Sequence, residues 1–386
     1  MSRPSKSQGN MLPASYLVIA QSGRALAASA TRGNCPIHVM DCFADIDTYA
    51  EALSVEQVPF TDHCFDKDSL INAIKKRCLE QPGIQLVPGS GFERKPALLQ
   101  TLSDIAPCIG NPAEVVQKIK DPVCFFGLLD ELGIPHPLTT TLYRNTGHNW
   151  LCKMTGGMGG DHIVRLDMNR ALPGSRVYFQ QCIEGESYSA LFLADGKRAQ
   201  VLGFSKLWHA DDFIDTPFKY GGAISLAVPA ETFSKWMSAM ISKLVVATGL
   251  KGLCGLDFVL DRQQQVNVIE INPRPPATFE LHERGRSLFR AHIQACHGDI
   301  PEENPVHDDH VHACIILYAR QTLYIPAQMK WPSWTSDRPR PGRKISFAEP
   351  VCTITASGQE QAKIKKLLYD QRLVVEAELL RWQVAA

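Results

Sequence analysis

Two stretches constrain this chain more than any others: Gly255-Leu256-Asp257-Phe258-Val259-Leu260 and, after a polar turn, Val266-Asn267-Val268-Ile269-Glu270-Ile271-Asn272-Pro273-Arg274. They read as two β-strands joined by the turn 261–265. Residues two apart on a strand share a face, so Glu270 and Asn272 point the same way. A hairpin symmetric about Gln263 and Gln264 sets Asp257 opposite Glu270. Opposed Cβ atoms of an antiparallel pair lie about 4.5–5.5 Å apart, and like charges there are destabilising. Two carboxylates and an amide oxygen on one face ask for a hard cation, Mg2+ or alternatively Mn2+. Arg274 follows in phase as a charge able to hold phosphate. The competing reading, a solvent-facing side of an edge hairpin, is outweighed by Asn272 and Arg274 in phase and by apolar residues on the opposite face.

At 386 residues the chain has room for two or three domains and a large core. Forty basic against forty acidic residues give no reason to invoke nucleic acid or a membrane surface as partner. The twelve cysteines form no CxxC pair and mostly sit in apolar segments, as small buried hydrophobes in a reducing compartment do. The run Tyr16–Ala20 is too short for a signal peptide or a membrane span, and the expected location is cytoplasmic.

The order of elements predicts an α/β (α+β) protein. Strand Tyr16–Ala20, helix Ala25–Ala30 and strand Ile37–Asp41 form a βαβ unit after a polar tail, 1–14. A helix over Asp68–Gln81 and a strand over Ile84–Val87 lead to the loop Gly89–Glu93, at a strand end where open sheets place ligands. Asp121 caps a helix begun by Pro122, following another at Ala113–Lys120. From Asn149 to Val228 short strands and glycine turns are expected, then helices at Ala230–Thr248 and Phe279–Ala295. The last part is strand-rich, with a closing helix Gln359–Leu367 and a final strand-like segment.

Other residues carry chemistry less specifically. Lys153 precedes a loop in which Gly156, Gly157, Gly159 and Gly160 let backbone N–H groups approach a phosphate. The strand Val177–Ile183 has the form of a domain hinge, with backbone groups of Cys182 and Ile183 free for an adenine edge and Glu186 for a ribose. Trp208, His209, Lys206 and Tyr220 serve equally as cleft or packing residues. The run 307–312, His-Asp-Asp-His-Val-His, has spacing suited neither to tetrahedral zinc nor to HExxH and reads as a linker.

In this order the elements resemble the ATP-grasp ligases: Lys120 before Asp-Pro, Lys153 with its glycine loop, the hinge with Glu186, then Asp257 and Glu270-x-Asn272-x-Arg274. The resemblance covers roughly residues 113–295. It implies a Rossmann-like pre-ATP-grasp domain at 15–112, a two-lobed core at 113–305 with a lid at 146–220, and a β-rich closing region at 306–386. More narrowly, Ser22-Gly23-Arg24-Ala25 and Asp41-Cys42-Phe43-Ala44-Asp45-Ile46-Asp47 resemble a biotin-carboxylase-like group associated with one-carbon cofactor biosynthesis in methylotrophs and methanogens. The resemblance implies ATP between two lobes, Lys120 and Lys153 on phosphates, and Mg2+ on Asp257, Glu270 and Asn272. Small-molecule carboxylate and amine substrates would react through an acyl phosphate, with Arg274 on the oxyanion, in a monomer or homodimer. Gln180 and Gln181 depart from the glutamate common at that hinge. Bicarbonate activation and a non-catalytic nucleotide-binding protein are the alternatives. A nicotinamide dehydrogenase is disfavoured because Ala20-Gln21-Ser22-Gly23 lacks the glycine fingerprint.

Overall fold

The computed structural model describes residues 15–143, 149–166, 176–210, 216–226, 231–301 and 309–383. His307 and Asp308 of the histidine-rich run lie outside these. The first sheet is parallel, with Ser54–Gln57, Ile37–Asp41, Tyr16–Ile19 and Gln85–Pro88 side by side in that order. Its central strand Tyr16–Ile19 is a continuous apolar run because helices cover both faces: Leu26, Ala27 and Ala30 pack on Tyr16 and Val18, while Leu70 and Ile74 pack with Leu17 and Ile19. Strand order reverses at Tyr16–Ile19, and beyond its carboxyl end Gln21 and Ser90, joined by a 2.8 Å backbone hydrogen bond, border a cleft.

The second sheet is small and antiparallel, in the order Thr139–Thr140, Val177–Gln181, Trp150–Met154, Ile163–Arg165. The third is an eight-stranded antiparallel sheet running from Val266–Asn272 through Lys251–Asp261, Gly185–Asp195, Ala199–His209, Tyr220–Ser225, Val311–Tyr318 and Pro350–Gly358 to Thr335–Ser336. Short strands were expected at 149–228, but Gly185–Asp195 and Ala199–His209 are each eleven residues long. Their glycines do not end them: Gly203 is held in the strand, and a Cβ there would lie 2.4 Å from the His282 ring.

Alternation along the long strands sorts the core. Cys254, Leu256 and Phe258 meet Met237, Ile241 and Leu244 of the helix Glu231–Thr248. On the other face Leu191, Leu193 and Leu253 pack under Tyr16, Val18 and Phe289. Further along that second face the same strands turn polar, at Ser187, Ser189 and Asp257, where the covering layer ends and a cleft begins.

Two helix expectations are corrected. The helix over Phe279–Ala295 is a 3-10 turn, Phe279–His282, followed by a separate helix, Leu288–Cys296. Arg284 at φ 47° and Gly285 at φ 76° break it, and Ser287 caps the second piece at the Arg290 amide. The closing helix is one 23-residue element, Gln361–Gln383, with no strand after Leu367 among the described residues. Ile364, Leu368, Val375 and Leu379 recur at helical spacing and bury against the sheet, which overrides the strand preference of Val374-Val375.

Candidate functional site

The hairpin forms with the turn at 261–265, where Asp261 Oδ1 accepts the amides of Gln263 and Gln265 at 2.9 and 2.8 Å. Near the turn Leu260 pairs with Val266 and Phe258 with Val268, a register centred on residue 263. Continued unbroken, it would set Asp257 opposite Ile269. A β-bulge between Asp257 and Phe258 inserts one residue and restores Asp257 opposite Glu270. The expected pairing is therefore present, but through the bulge and not through a turn symmetric about Gln263 and Gln264. The bulge also accounts for Ile269 and Glu270, chain neighbours, both lining the cleft.

Asn272 donates from Nδ2 to Asp257 Oδ2 at 2.9 Å, and Lys120 Nζ forms an ion pair with Glu270. Burial and the facing Glu270 raise the Asp257 carboxyl. For Glu270 the burial penalty is outweighed by its ion pair with Lys120, with Lys153 adding to it, so its carboxyl is held below the usual range. Lys120 lies with Gly156 and Gly157 in a recess of about 30 Å3 adjoining the cleft, not on the main cleft wall. Among the described residues no three His, Cys, Asp or Glu side chains converge on a metal position. Two carboxylates with an amide nonetheless suit Mg2+, which commonly takes one or two protein carboxylates and completes its shell with water and phosphate oxygens.

Lys153 is 5% exposed and donates to Gln180 Oε1 at 2.6 Å; Gln180 in turn donates to Thr139 Oγ1 at 3.1 Å. Burial brings the ammonium down to about 8, against the pull of Glu270, Cys182 and Asp257. Gln180, one of the two glutamines at which the hinge departs from the glutamate of ATP-grasp relatives, meets Lys153 with a neutral amide, and among the described residues Lys153 forms no ion pair.

The glycine loop is folded against the protein. Gly160, at φ 77°, lies so near the Phe218 carbonyl that a Cβ would come within 1.9 Å of its oxygen. Gly156 packs on the Glu93 carbonyl and Gly157 under the His162 ring, which burial pushes down to about 4. Gly159 and Gly160 line the cleft, and the Gly159 carbonyl accepts the Tyr220 amide at 2.8 Å.

Two hinge assignments change. The Cys182 amide is spent on the Asn149 carbonyl at 2.7 Å, leaving the Ile183 backbone for a ligand. Glu186 sits on the face of its strand away from the cleft, with Tyr188, which stacks on Phe258, and in an ion pair with Lys206. Glu184 and Ser187 line the cleft in its place. Lys206 is thereby removed from the cleft candidates, whereas Trp208, His209 and Tyr220 line it.

Arg274 is not free. Its Nε donates to Glu93 Oε1 at 2.7 Å, and Glu93 also accepts the amides of Gly91 and Phe92 at 2.8 and 2.9 Å. Arg274 and Lys120 hold the buried Glu93 carboxyl below its usual range despite the burial penalty. Asn111 makes a second tie, donating to the carbonyls of Lys251 and Pro273 and accepting the Lys251 amide, each at 2.9 Å. Sequence reasoning marked the Gly89–Glu93 loop but not the role of Glu93, and Asn111 carried no signal beyond its polarity. Arg274 lines one cleft of about 2120 Å3 that runs between the three sheets, while Glu93 and Asn111 hold the hairpin exit in place.

A cleft floored by a carboxylate hairpin and closed by a lysine-bearing antiparallel sheet is the architecture of the ATP-grasp fold. Residues 119–278 match the family model of the ATP-grasp domain. Among solved structures the chain is similar to pyruvate carboxylase of Rhizobium etli, with 14% identity and a TM-score of 0.73 over 93% of this chain; it spans only 37% of that enzyme's length. The L-amino acid ligase of Bacillus licheniformis is similar over 94% of this chain and 98% of its own, with 15% identity and a TM-score of 0.69. N5-carboxyaminoimidazole synthetase of Staphylococcus aureus matches over 94% and 98%, with 14% identity and a TM-score of 0.65. None of the curated proteins matches the sequence. No helix among the described residues is long and apolar enough to cross a membrane.

Proposed function

We propose that the protein is an ATP- and Mg2+-dependent ligase that activates a carboxylate as its acyl phosphate and joins it to an amine. The observation that carries this reading is the meeting of Asp257, Glu270 and Asn272 with a buried Lys153, held by the neutral Gln180, at one cleft. Asp257, Glu270 and Asn272 would hold Mg2+, which neutralises charge on the phosphates when bound. Lys153 contributes a desolvated positive charge, stronger toward phosphate than a hydrated one. Lys120 balances Glu270 from behind. Gly156, Gly157, Gly159 and Gly160 keep the loop close to the cleft floor, the Ile183 backbone edge suits adenine, and Glu184 or Ser187 suits the ribose in place of Glu186. Arg274, fixed by Glu93, keeps its remaining guanidinium N–H groups for a carboxylate or for the oxyanion of acyl transfer.

The finer reading is amino-acid addition during one-carbon cofactor biosynthesis, which rests on the resemblance in Ser22–Ala25 and Asp41–Asp47. Bicarbonate activation is the second reading, favoured by the fold likeness to pyruvate carboxylase. Phosphate release from MgATP, screened against pooled carboxylates and amines with product mass read out, tests the proposal. A new amide mass accompanying phosphate is the expected result. Phosphate release that needs bicarbonate and no amine would favour the carboxylase, and no turnover with any pool would sink both.

A further inference from the structure

The cleft continues beyond the hairpin to the carboxyl ends of the parallel strands, where Ser22, Arg24, Phe43, Asp45 and Asp337 line it. Nothing in the nucleotide site uses these residues. Asp41 accepts the amides of Gly23, Phe43 and Ala44 at 2.9, 3.2 and 2.7 Å. That clamp holds Ala44 in the left-handed region at φ 49°, a conformation costly for alanine, and so fixes the direction of Asp45.

The neighbouring charges are nearly all satisfied. Arg24 gives Nε and Nη2 to Asp337 at 2.9 and 3.0 Å and pairs with Glu280. Asp47 pairs with Arg338, and Arg343 donates to the Phe43 carbonyl at 2.6 Å. Asp45 differs. It is 2% exposed, its side chain accepts no hydrogen bond from a described residue, and its Oδ2 is buried without a partner. Asp45 stands beside the carboxylates of Asp337 and Asp41, and the Arg24 guanidinium is already taken by Asp337 and Glu280. A buried carboxylate without a donor is expensive, so a ligand that supplies one is favoured.

We infer that Asp45 anchors a substrate ammonium group, placing the amine-bearing substrate in the cleft that holds the nucleotide. This rests on the ligase reading for its setting and not for its chemistry. Burial first, then Asp337 and Asp41, push Asp45 up to about 8, and a bound cation would return it to the ionised form.

Saturation-transfer NMR on the full chain, with the twenty amino acids, ethanolamine and putrescine as probes, tests the inference. The result expected is binding of at least one ammonium compound, loss of binding by its N-acetyl derivative, and about 10–100-fold weaker affinity in Asp45→Asn, the worth of a charge-assisted hydrogen bond. MgADP affinity should be unchanged in that variant. Equal amine affinity in Asp45→Asn, or no binding by any probe, would overturn it. Should Asp45→Asn fail to fold, the comparison between each amine and its N-acetyl form on the unmodified protein decides. Amine binding through Asp45 without phosphate release would defeat the ligase reading and leave this inference standing.

Discussion

At the scale of single residues, the site is a set of charges each held in place by one specific neighbour. Glu270 faces Asp257 across the hairpin and is balanced by Lys120. Glutamine at 270 keeps an acceptor for Lys120, so the variant Glu270→Gln should fold with a melting temperature close to the original. It removes half of the carboxylate pair, and Mg2+-dependent ATP turnover should fall about 10²–10³-fold, as when a pre-organised electrostatic group is lost. Unchanged turnover would refute the metal assignment. Asp45 gives a prediction of opposite kind. Its carboxyl sits near 3.8 in the unfolded chain and is pushed up to about 8 by burial on folding. Between those values the folded protein keeps a proton that the unfolded chain releases, so stability falls as pH rises through the window. Asp45→Asn escapes that loss: it should match the original protein near pH 4 and become progressively more stable than it toward pH 8. Urea unfolding of both proteins across this range checks the sign, and a constant difference would contradict it.

At the scale of elements, what could be read from sequence depended on whether local pattern or tertiary contact decides. The hairpin strands, the cap at Asp121 and the helix Glu231–Thr248 follow from periodicity and capping chemistry that six to eighteen residues contain. The bulge at Ile269, which keeps Asp257 opposite Glu270, is not encoded by alternation and was invisible. Glu186 was misassigned for a related reason: a one-residue shift moves a side chain to the other face, and order along the chain does not fix that parity. The Glu93–Arg274 pair joins residues 181 positions apart and has no local signal at all. The glycine loop was legible as a loop, and its docking adds a test. Gly160→Ala puts a Cβ against the Phe218 carbonyl and demands φ near 77° of alanine. The loop should be expelled from its seat, raising the KM for ATP roughly tenfold, about 1.4 kcal/mol, with little change in global stability. An unaltered KM would show that this seat is not used during turnover. Deeper in the sheet, Phe258 is fully buried between Tyr188 and the long helix, and Phe258→Ala should cost about 3–5 kcal/mol in urea unfolding.

At the scale of the whole molecule, the cleft has walls from three sheets; the first and third share the core of Tyr16, Val18, Leu191, Leu193 and Leu253, and single polar contacts add to it. Glu93 ties the parallel sheet to Arg274 at the hairpin exit, Asn111 ties the same exit to Lys251, and Lys219 reaches the Ala348 carbonyl of the closing region. The small sheet that carries Lys153 and the glycine loop touches the rest through glycine backbone at Gly156 and Gly160, through Tyr178 on the core beside Phe126, and through Arg165 on the Phe218 ring. A ligand between Lys153 and the Asp257–Glu270 floor would add contacts between these two parts. A ligand that binds only the folded state stabilises it by about 2.7 kcal/mol at a hundredfold excess over its Kd. MgADP should accordingly raise the melting temperature and protect the 150–165 segment from proteolysis, both in proportion to ligand concentration. Lys153→Met separates this from nonspecific stabilisation. Methionine fits the apolar part of the Lys153 site and removes a buried charge whose hydrogen-bond partner is the neutral Gln180. The variant without ligand should then be at least as stable as the original, while most of the MgADP shift disappears. A full shift in Lys153→Met would mean that the nucleotide binds elsewhere than between these two sheets.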